Sequence, residues 1–261
     1  MERKEIKINL EEFPEEFRKL LEGARVYDSS CSENARVIYI DRDEGYFLKK
    51  SDRGSLEKEA LLAEYFHKKG LTQEVLGYVK GESDYLLTRR VKGEDCTFKK
   101  YLEDPKRLCD TIATRLRALH ETDFKDCPVQ NRCESYFSLV EENYRKKKFE
   151  SDLFTGEWAV PDMEEAYRIS KENKKYLRND TLLHGDYCLP NIMLDDWKFS
   201  GFIDLGNGGV GDRHIDIFWG VWTMWFNLKT HSFRDRFLDC YGRDGFEYDM
   251  LRVIAAMECF G

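Results

Sequence analysis

Leu182-Leu183-His184-Gly185-Asp186-Tyr187-Cys188-Leu189-Pro190-Asn191, followed by Ser200-Gly201-Phe202-Ile203-Asp204-Leu205-Gly206, is the stretch around which the rest of the chain is organised. By residue type it reads as a buried strand and a polar loop, then a short apolar run (Ile192-Met193-Leu194), a turn and a second apolar strand. The second strand delivers a carboxylate, Asp204, onto a glycine.

The residue types on these loop ends point to a definite chemistry. Asp186 lies just past the apolar strand Thr181-Leu182-Leu183, where a carboxylate can orient an acceptor hydroxyl and take its proton. Asn191 offers a neutral oxygen to a metal, and Asp204 offers a charged one. Magnesium prefers few carboxylates together with phosphate oxygens and water, so one Asp and one Asn suit a magnesium–nucleotide phosphoryl-transfer centre. Gly206 lets the chain turn sharply after the metal ligand. Asp216, on an otherwise apolar helix face, would be costly to bury unpaired. It is expected to accept hydrogen bonds from the backbone of the 184–187 loop, with His184 lending structural support.

Working outward, the first third of the chain is β-rich. Arg25–Tyr27, Arg36–Ile40 and Tyr46–Lys49 read as strands, the last two joined through the turn Asp41-Arg42-Asp43-Glu44-Gly45. The loop at 29–34 could cover phosphates with backbone N–H groups and serine hydroxyls, although it contains no glycine and, taken alone, reads as a plain β-turn loop. Lys49 ends an apolar strand. Glu59 follows on a segment, Ser55 to Lys68, whose apolar positions have helical period behind a serine cap. Such a pair either grips nucleotide phosphates or is a solvated lysine beside an exposed helix charge. Val75–Val79 and Asp84–Thr88 complete a small, mostly β lobe, and the polar run Arg89 to Asp95 reads as a hinge.

Beyond the hinge the texture is helical. A helix is predicted from Pro105 with Leu108, Ile112, Leu116 and Leu119 on one face, ending in a capping His120. Others are predicted over Cys133–Lys147, Met163–Leu177, Asp212 to Leu228, Ser232–Tyr241 and Phe246–Phe260. Trp219, Trp222, Thr223 and Phe226 share one face and read as core rather than as a ligand platform.

The bulk properties narrow the function. With 261 residues, 41% of them hydrophobic, the chain can bury one large core or two lobes. Its charged start carries no leader pattern, and no apolar run reaches the roughly 20 residues a bilayer requires, so no membrane association is expected. Eight scattered cysteines without C-x-x-C spacing read as reduced thiols in a cytoplasm. A net charge of −8 disfavours nucleic acid and suits a cationic small molecule.

His184-Gly185-Asp186 with Asn191, and Ile203-Asp204-Leu205-Gly206 with Asp212 and Asp216, resemble the aminoglycoside phosphotransferase family, its 3'-phosphotransferases above all. The resemblance extends to Tyr46-Phe47-Leu48-Lys49, Leu56-Glu57-Lys58-Glu59, Leu119-His120 and the ending Glu258-Cys259-Phe260. It implies an α+β, two-lobed protein-kinase-like fold, with a nucleotide-binding lobe over 1–89 and a helical catalytic lobe over 90–261. It also implies Mg2+ and ATP or GTP, with transfer of the γ-phosphoryl group to a small cationic alcohol, an aminoglycoside, by a monomer or weak dimer. Asp186 would be the catalytic aspartate, Asn191 and Asp204 the metal ligands, and Lys49, oriented by Glu59, the partner of the α- and β-phosphates. Phe47 would stack near adenine, Ser32 would touch phosphate, and the backbone at Arg90 and Val91 would meet the adenine edge. An acidic loop containing Asp152, Glu157, Asp162, Glu164 and Glu165, together with Glu258, would meet the acceptor. The chain departs from the family at Asn207, where an arginine is common, and at Met257, which replaces an acid. Another hydroxyl-bearing acceptor, a protein kinase and a catalytically silent nucleotide-binding module stay open at this level.

Overall fold

Alternation of apolar and polar residues in the first part of the chain builds an antiparallel sheet with one helix on each face. The computed structural model describes residues 4–31 and 35–261. Among these, β1 (Lys4–Glu5), α1 (Glu15–Leu21), β2 (Arg25–Asp28), β3 (Ala35–Asp41), β4 (Tyr46–Asp52), α2 (Glu57–Lys68), β5 (Val75–Lys80) and β6 (Ser83–Arg89) follow in order. The strands form a six-stranded sheet in the order β1-β2-β3-β4-β6-β5. Ile38, Ile40, Tyr46, Leu48 and Leu87 pack with Phe13, Phe17 and Leu21 on one face, whereas Leu86 joins Leu56 and Ala60 of α2 on the other. The side-chain period of two therefore turns Phe47 and Lys49 away from the α1 side, and Lys49 lies directly opposite Leu86 in the register.

The start of α2 departs from its sequence reading. Ser55 does not cap the helix; its hydroxyl donates to the Asp52 carbonyl at 2.6 Å. The cap comes from β6, where the buried Asp84 accepts the Leu56 N–H at 3.1 Å and the Tyr78 O–H at 2.8 Å. Hydrogen bonds from the Gly54 and Leu56 backbone and from Tyr78 hold the Asp84 carboxyl below its ordinary pKa even though burial pushes the other way.

This first compact unit runs through Gly93 and also takes Ser200–Gly206. The break falls inside the polar run Arg89 to Asp95, and Ser200–Gly206 goes with the sheet although it lies far along the chain among the helices. Val91 is buried against Gly201, the Phe202 N–H donates to the Leu71 carbonyl at 2.8 Å, and Phe202 packs on Phe66.

The second unit comprises Glu94–Phe199 and Asn207–Gly261. The elements from Glu94 onward are β7 (Glu94–Asp95), α3 (Lys99–Leu102), α4 (Pro105–His120), α5 (Arg132–Arg145), α6 (Met163–Asn173), β8 (Thr181–Leu183), β9 (Ile192–Asp195), β10 (Lys198–Phe202, whose last three residues belong to the first unit), β11 (Gly209–Gly211), α7 (His214–Leu228), α8 (Arg234–Tyr241) and α9 (Tyr248–Glu258). Helix α4 opens with Pro105 behind Asp104, whose side chain accepts the Arg107 N–H at 3.2 Å. Strands β9 and β10 are joined by Asp196 and Trp197, both at positive φ (46° and 69°), the conformation a two-residue hairpin demands. Helix α7, apolar on nearly every side, is buried along most of its length. No helix among the described residues is long and apolar enough to cross a membrane.

Asp84 should carry measurable stability, because its loss orphans a helix N-terminus and a half-buried tyrosine hydroxyl at once. Asp84→Ala is expected to lower the unfolding free energy by about 1–3 kcal/mol, read from urea denaturation. A loss below a few tenths would show that α2 needs no such cap.

Candidate active site

The loop between β8 and β9 is held from beneath by Asp216. This residue of α7 is fully buried, and its carboxylate accepts the N–H groups of His184 and Gly185, each at 2.7 Å. A third contact, at 3.3 Å, comes from Nε2 of His120, whose Nδ1 faces the Tyr241 hydroxyl at 2.8 Å. Burial holds His120 below its ordinary pKa, so its ring is neutral, donating to Asp216 and accepting from Tyr241. His120, read from sequence as a helix cap, is part of the brace. The sequence reading found Asp216 and its role but missed this partner.

Gly185 is required by two constraints. Its φ is +84°, and a Cβ there would stand 1.9 Å from the Asn207 carbonyl oxygen. His184 is buried, and its Nδ1 accepts the Asp186 N–H at 3.3 Å. The Tyr187 hydroxyl donates to the Ile112 carbonyl at 2.8 Å and ties the loop to α4. Asp186 is thereby left partly exposed on a rigid support. Asn191, buried in the turn that follows, donates its Nδ2 to the Asp186 carboxylate at 2.9 Å and to the Asp186 carbonyl at 3.0 Å. With its nitrogen engaged there, Asn191 has its Oδ1 to offer a cation.

The first unit brings its own three candidates together. Lys49 Nζ donates to Glu59 at 2.7 Å and to Asp204 at 3.0 Å. Burial alone would lower the Lys49 pKa, but the two carboxylates more than offset it and hold the ammonium above its ordinary value. Burial, reinforced by the Asp204 charge, pushes Glu59 up, opposed by Lys49. Asp204 sits in the left-handed region, at φ +57°, with its side chain 54% exposed. Phe47, two residues before Lys49 on the same face of β4, packs against Tyr39 at 5.3 Å. The Arg90 N–H is taken by the Gly45 carbonyl at 3.0 Å. Ser32 lies outside the described residues.

The acidic candidates divide. Glu157 is held by Arg234 and by the Tyr248 hydroxyl, the latter at 2.8 Å. Asp162 caps α6 by accepting the Glu165 N–H at 2.9 Å, and Glu164 accepts the Tyr144 hydroxyl at 2.7 Å. That run therefore serves local structure. Glu258 is different: its Oε1 accepts the Tyr136 hydroxyl at 2.6 Å and the Trp219 indole N–H at 3.0 Å. Burial pushes its carboxyl up to about 7; those donors and Arg132 pull the other way, and the Asp186 charge adds to the push. Arg132, another residue the sequence reading missed, also donates Nε to the Asn207 carbonyl at 2.8 Å. It thus brings a positive charge to the position where Asn207 lacks one.

Helix α7 corrects one further expectation. Trp222 and Thr223 are buried as core residues, but Phe226 is 40% exposed. All three line a cavity of about 310 Å3 shared with Asp186, Cys188 and Asn191.

Comparison with known proteins agrees with this arrangement. A model of the phosphotransferase enzyme family matches residues 28–254. A protein of Lactococcus lactis, a probable aminoglycoside 3'-phosphotransferase, is 49% identical over 99% of this chain and 98% of its own. An aminoglycoside 3'-phosphotransferase of Niallia circulans is 31% identical over 69% of this chain and 68% of its own. Among solved structures, an aminoglycoside-3'-phosphotransferase of type VIII superposes with a TM-score of 0.78, at 19% identity over 96% of both chains. An aminoglycoside phosphotransferase of Streptomyces rimosus, in complex with ADP and streptomycin, gives 0.72 at 21% identity over 86% of this chain and 90% of its own. The fold they share with this chain is the two-lobed kinase-like one.

The raised pKa of Glu258 has a signed consequence for stability. The folded chain holds this proton more tightly than the unfolded chain. Its contribution is therefore greatest below the ordinary glutamate value of 4.5 and falls as pH rises to about 7. Glu258→Gln keeps an oxygen for Tyr136 and Trp219 and escapes that loss. Between pH 4.5 and 7 it should gain about 1–3 kcal/mol on the wild type, measured by denaturation at several pH values. Parallel stability curves for the two proteins would sink the assignment.

Proposed function

The chain belongs to the phosphotransferase enzyme family, and from that premise we propose that it transfers the γ-phosphoryl group of ATP, or of GTP, to a hydroxyl of an aminoglycoside. The observation that carries this reading is Asp186, a partly exposed carboxylate on a loop fixed by Asp216 and accepting a hydrogen bond from Asn191. The names of the relatives support the acceptor, and the ADP bound to the Streptomyces rimosus enzyme supports the donor.

In this reading Asp186 accepts a hydrogen bond from the acceptor hydroxyl, orients it and removes its proton late. Phosphoryl transfer proceeds through a loose transition state, so positioning outweighs deprotonation. Lys49, held by Glu59, balances charge on the α- and β-phosphates. Phe47 lies along adenine. Because the N–H of Arg90 is already bonded, residue 90 would offer adenine its carbonyl, and Val91 its backbone. Ser32 keeps its proposed phosphate contact. By residue type, the carboxamide oxygen of Asn191 and the carboxylate of Asp204 would each suit a divalent cation that takes its other positions from phosphate and water, as Mg2+ prefers. When bound, magnesium would neutralise phosphate charge. Glu258, rather than Glu157 with its carboxylate engaged at both ends, is our choice for meeting an ammonium group of the acceptor. The eight free thiols suit a reducing cytoplasm, with the chain acting as a monomer or weak dimer.

A magnesium-dependent phosphotransfer screen with ATP and GTP across aminoglycosides and other cationic alcohols tests the acceptor. Turnover of an aminoglycoside supports the reading. Failure of all of them, with another alcohol phosphorylated, overturns it. Asp186→Ala is expected to lower kcat by about 10²–10⁴-fold while the nucleotide Kd stays within about threefold. Retained phosphotransfer in that variant would refute the role given to Asp186.

A further inference from the structure

We propose that Arg132 is a positioning residue for phosphoryl transfer: its guanidinium fixes the Asn207 carbonyl against Gly185, and that contact holds the loop that carries Asp186. The inference rests on the role proposed for Asp186 and adds a residue, on a different helix, that this role depends on.

Arg132 is the first residue of α5 and is buried, at 7% exposed. Among the described residues its side chain pairs with no carboxylate. Nε donates to the Asn207 carbonyl at 2.8 Å, Nη1 donates to Ser135 Oγ at 3.4 Å, and the guanidinium carbon lies 5.2 Å from the centre of the Tyr136 ring. A buried cation with no acid beside it is costly, and a neutral donor would satisfy one carbonyl at less expense. What the charge adds is strength, since a hydrogen bond from an ionised donor is shorter and roughly twice as strong as a neutral one. The stem is fixed as well. A Cβ on Gly211 of β11 would stand 3.0 Å from Arg132 Cβ and 3.3 Å from its Cγ, so the glycine leaves the stem its room.

The carbonyl that Arg132 holds is set hard against the catalytic loop. A Cβ on Gly185 would stand 1.9 Å from the Asn207 oxygen and 2.2 Å from its carbon. The N–H of Gly185 is already given to Asp216 at 2.7 Å, so Gly185 has no N–H for that oxygen, and Arg132 supplies the donor. The loop is therefore gripped twice at the residue before Asp186, by Asp216 through its backbone N–H groups and by Asn207 through van der Waals contact. Asp216 fixes the loop only where it draws the N–H groups in. Without Arg132 the Asn207 carbonyl would turn toward another donor, and the path of 185 and 186 would loosen on that side. Transfer depends on alignment to a fraction of an ångström, so the effect falls on the chemical step.

The test compares Arg132→Met, which keeps a stem of similar length without donor or charge, with Arg132→Lys, which keeps a charged donor. With an aminoglycoside acceptor, Arg132→Met is expected to lower kcat about 10–100-fold while the KM for ATP stays within about threefold. Arg132→Lys should recover at least about tenfold of that loss. A packing role predicts the opposite order, because methionine suits a buried site better than lysine. Hydrogen exchange reads the loop directly: the Gly185 and Asp186 N–H groups should exchange about tenfold faster or more in Arg132→Met. Should that variant fail to bind ATP, Arg132→Gln, a neutral donor of shorter reach, takes its place under the same expectations. Wild-type kcat in the neutral variant, a lysine variant no better than it, or unchanged exchange at 185 and 186 overturns the inference while the role of Asp186 stands. Phosphotransfer that survives Asp186→Ala overturns that role and this inference with it.

Discussion

A single buried carboxylate, Asp216, sets the geometry of the catalytic loop. Fully removed from water, it would be intolerable as a lone charge, and the chain meets that cost with two backbone N–H groups and the neutral His120 ring. The same hydrogen bonds draw the backbone of 184 and 185 into a fixed path. Gly185 can follow it because it tolerates φ +84°, and the Asn207 carbonyl leaves no room for a side chain there. The position of Asp186 is thus settled by the solvation needs of a residue thirty positions away in sequence, on a helix that is otherwise apolar.

Much of this could be read before any coordinates. The period of two across Tyr46–Lys49 turns Lys49 away from the α1 face, and the structure pairs it with Glu59. The cost of burying Asp216 was enough to predict its bonds to the loop. What escaped the sequence was supplied from distant elements. Asp84 caps α2 across the sheet, while the local candidate, Ser55, bonds backward to Asp52 instead. Arg132 reaches the Asn207 carbonyl from α5. Ser200–Gly206 belongs with the sheet because Phe202 is buried against Phe66 and Leu71, which periodicity along the strand does not reveal. On α7 the pattern alone could not say that Phe226 is partly exposed while Trp222, one turn earlier, is buried, nor that both line one cavity.

Three carboxylates, Asp216, Glu59 and Glu258, are treated in three ways, and the differences separate support from chemistry. Asp216 receives dedicated donors and acts as scaffold. Glu59 is paired with a cation, Lys49, which Asp204 shares, so the charge of the lysine is fixed in place by two acids. Glu258 has two neutral donors, with burial and the neighbouring Asp186 charge outweighing them, and it is held near neutrality. A carboxyl group poised there sits at the edge of ionisation. A nearby ammonium would tip it to the charged form by a favourable Coulomb interaction, and the cost of burying the carboxylate falls once it is paired. Binding of a cation and release of a proton are then one linked event.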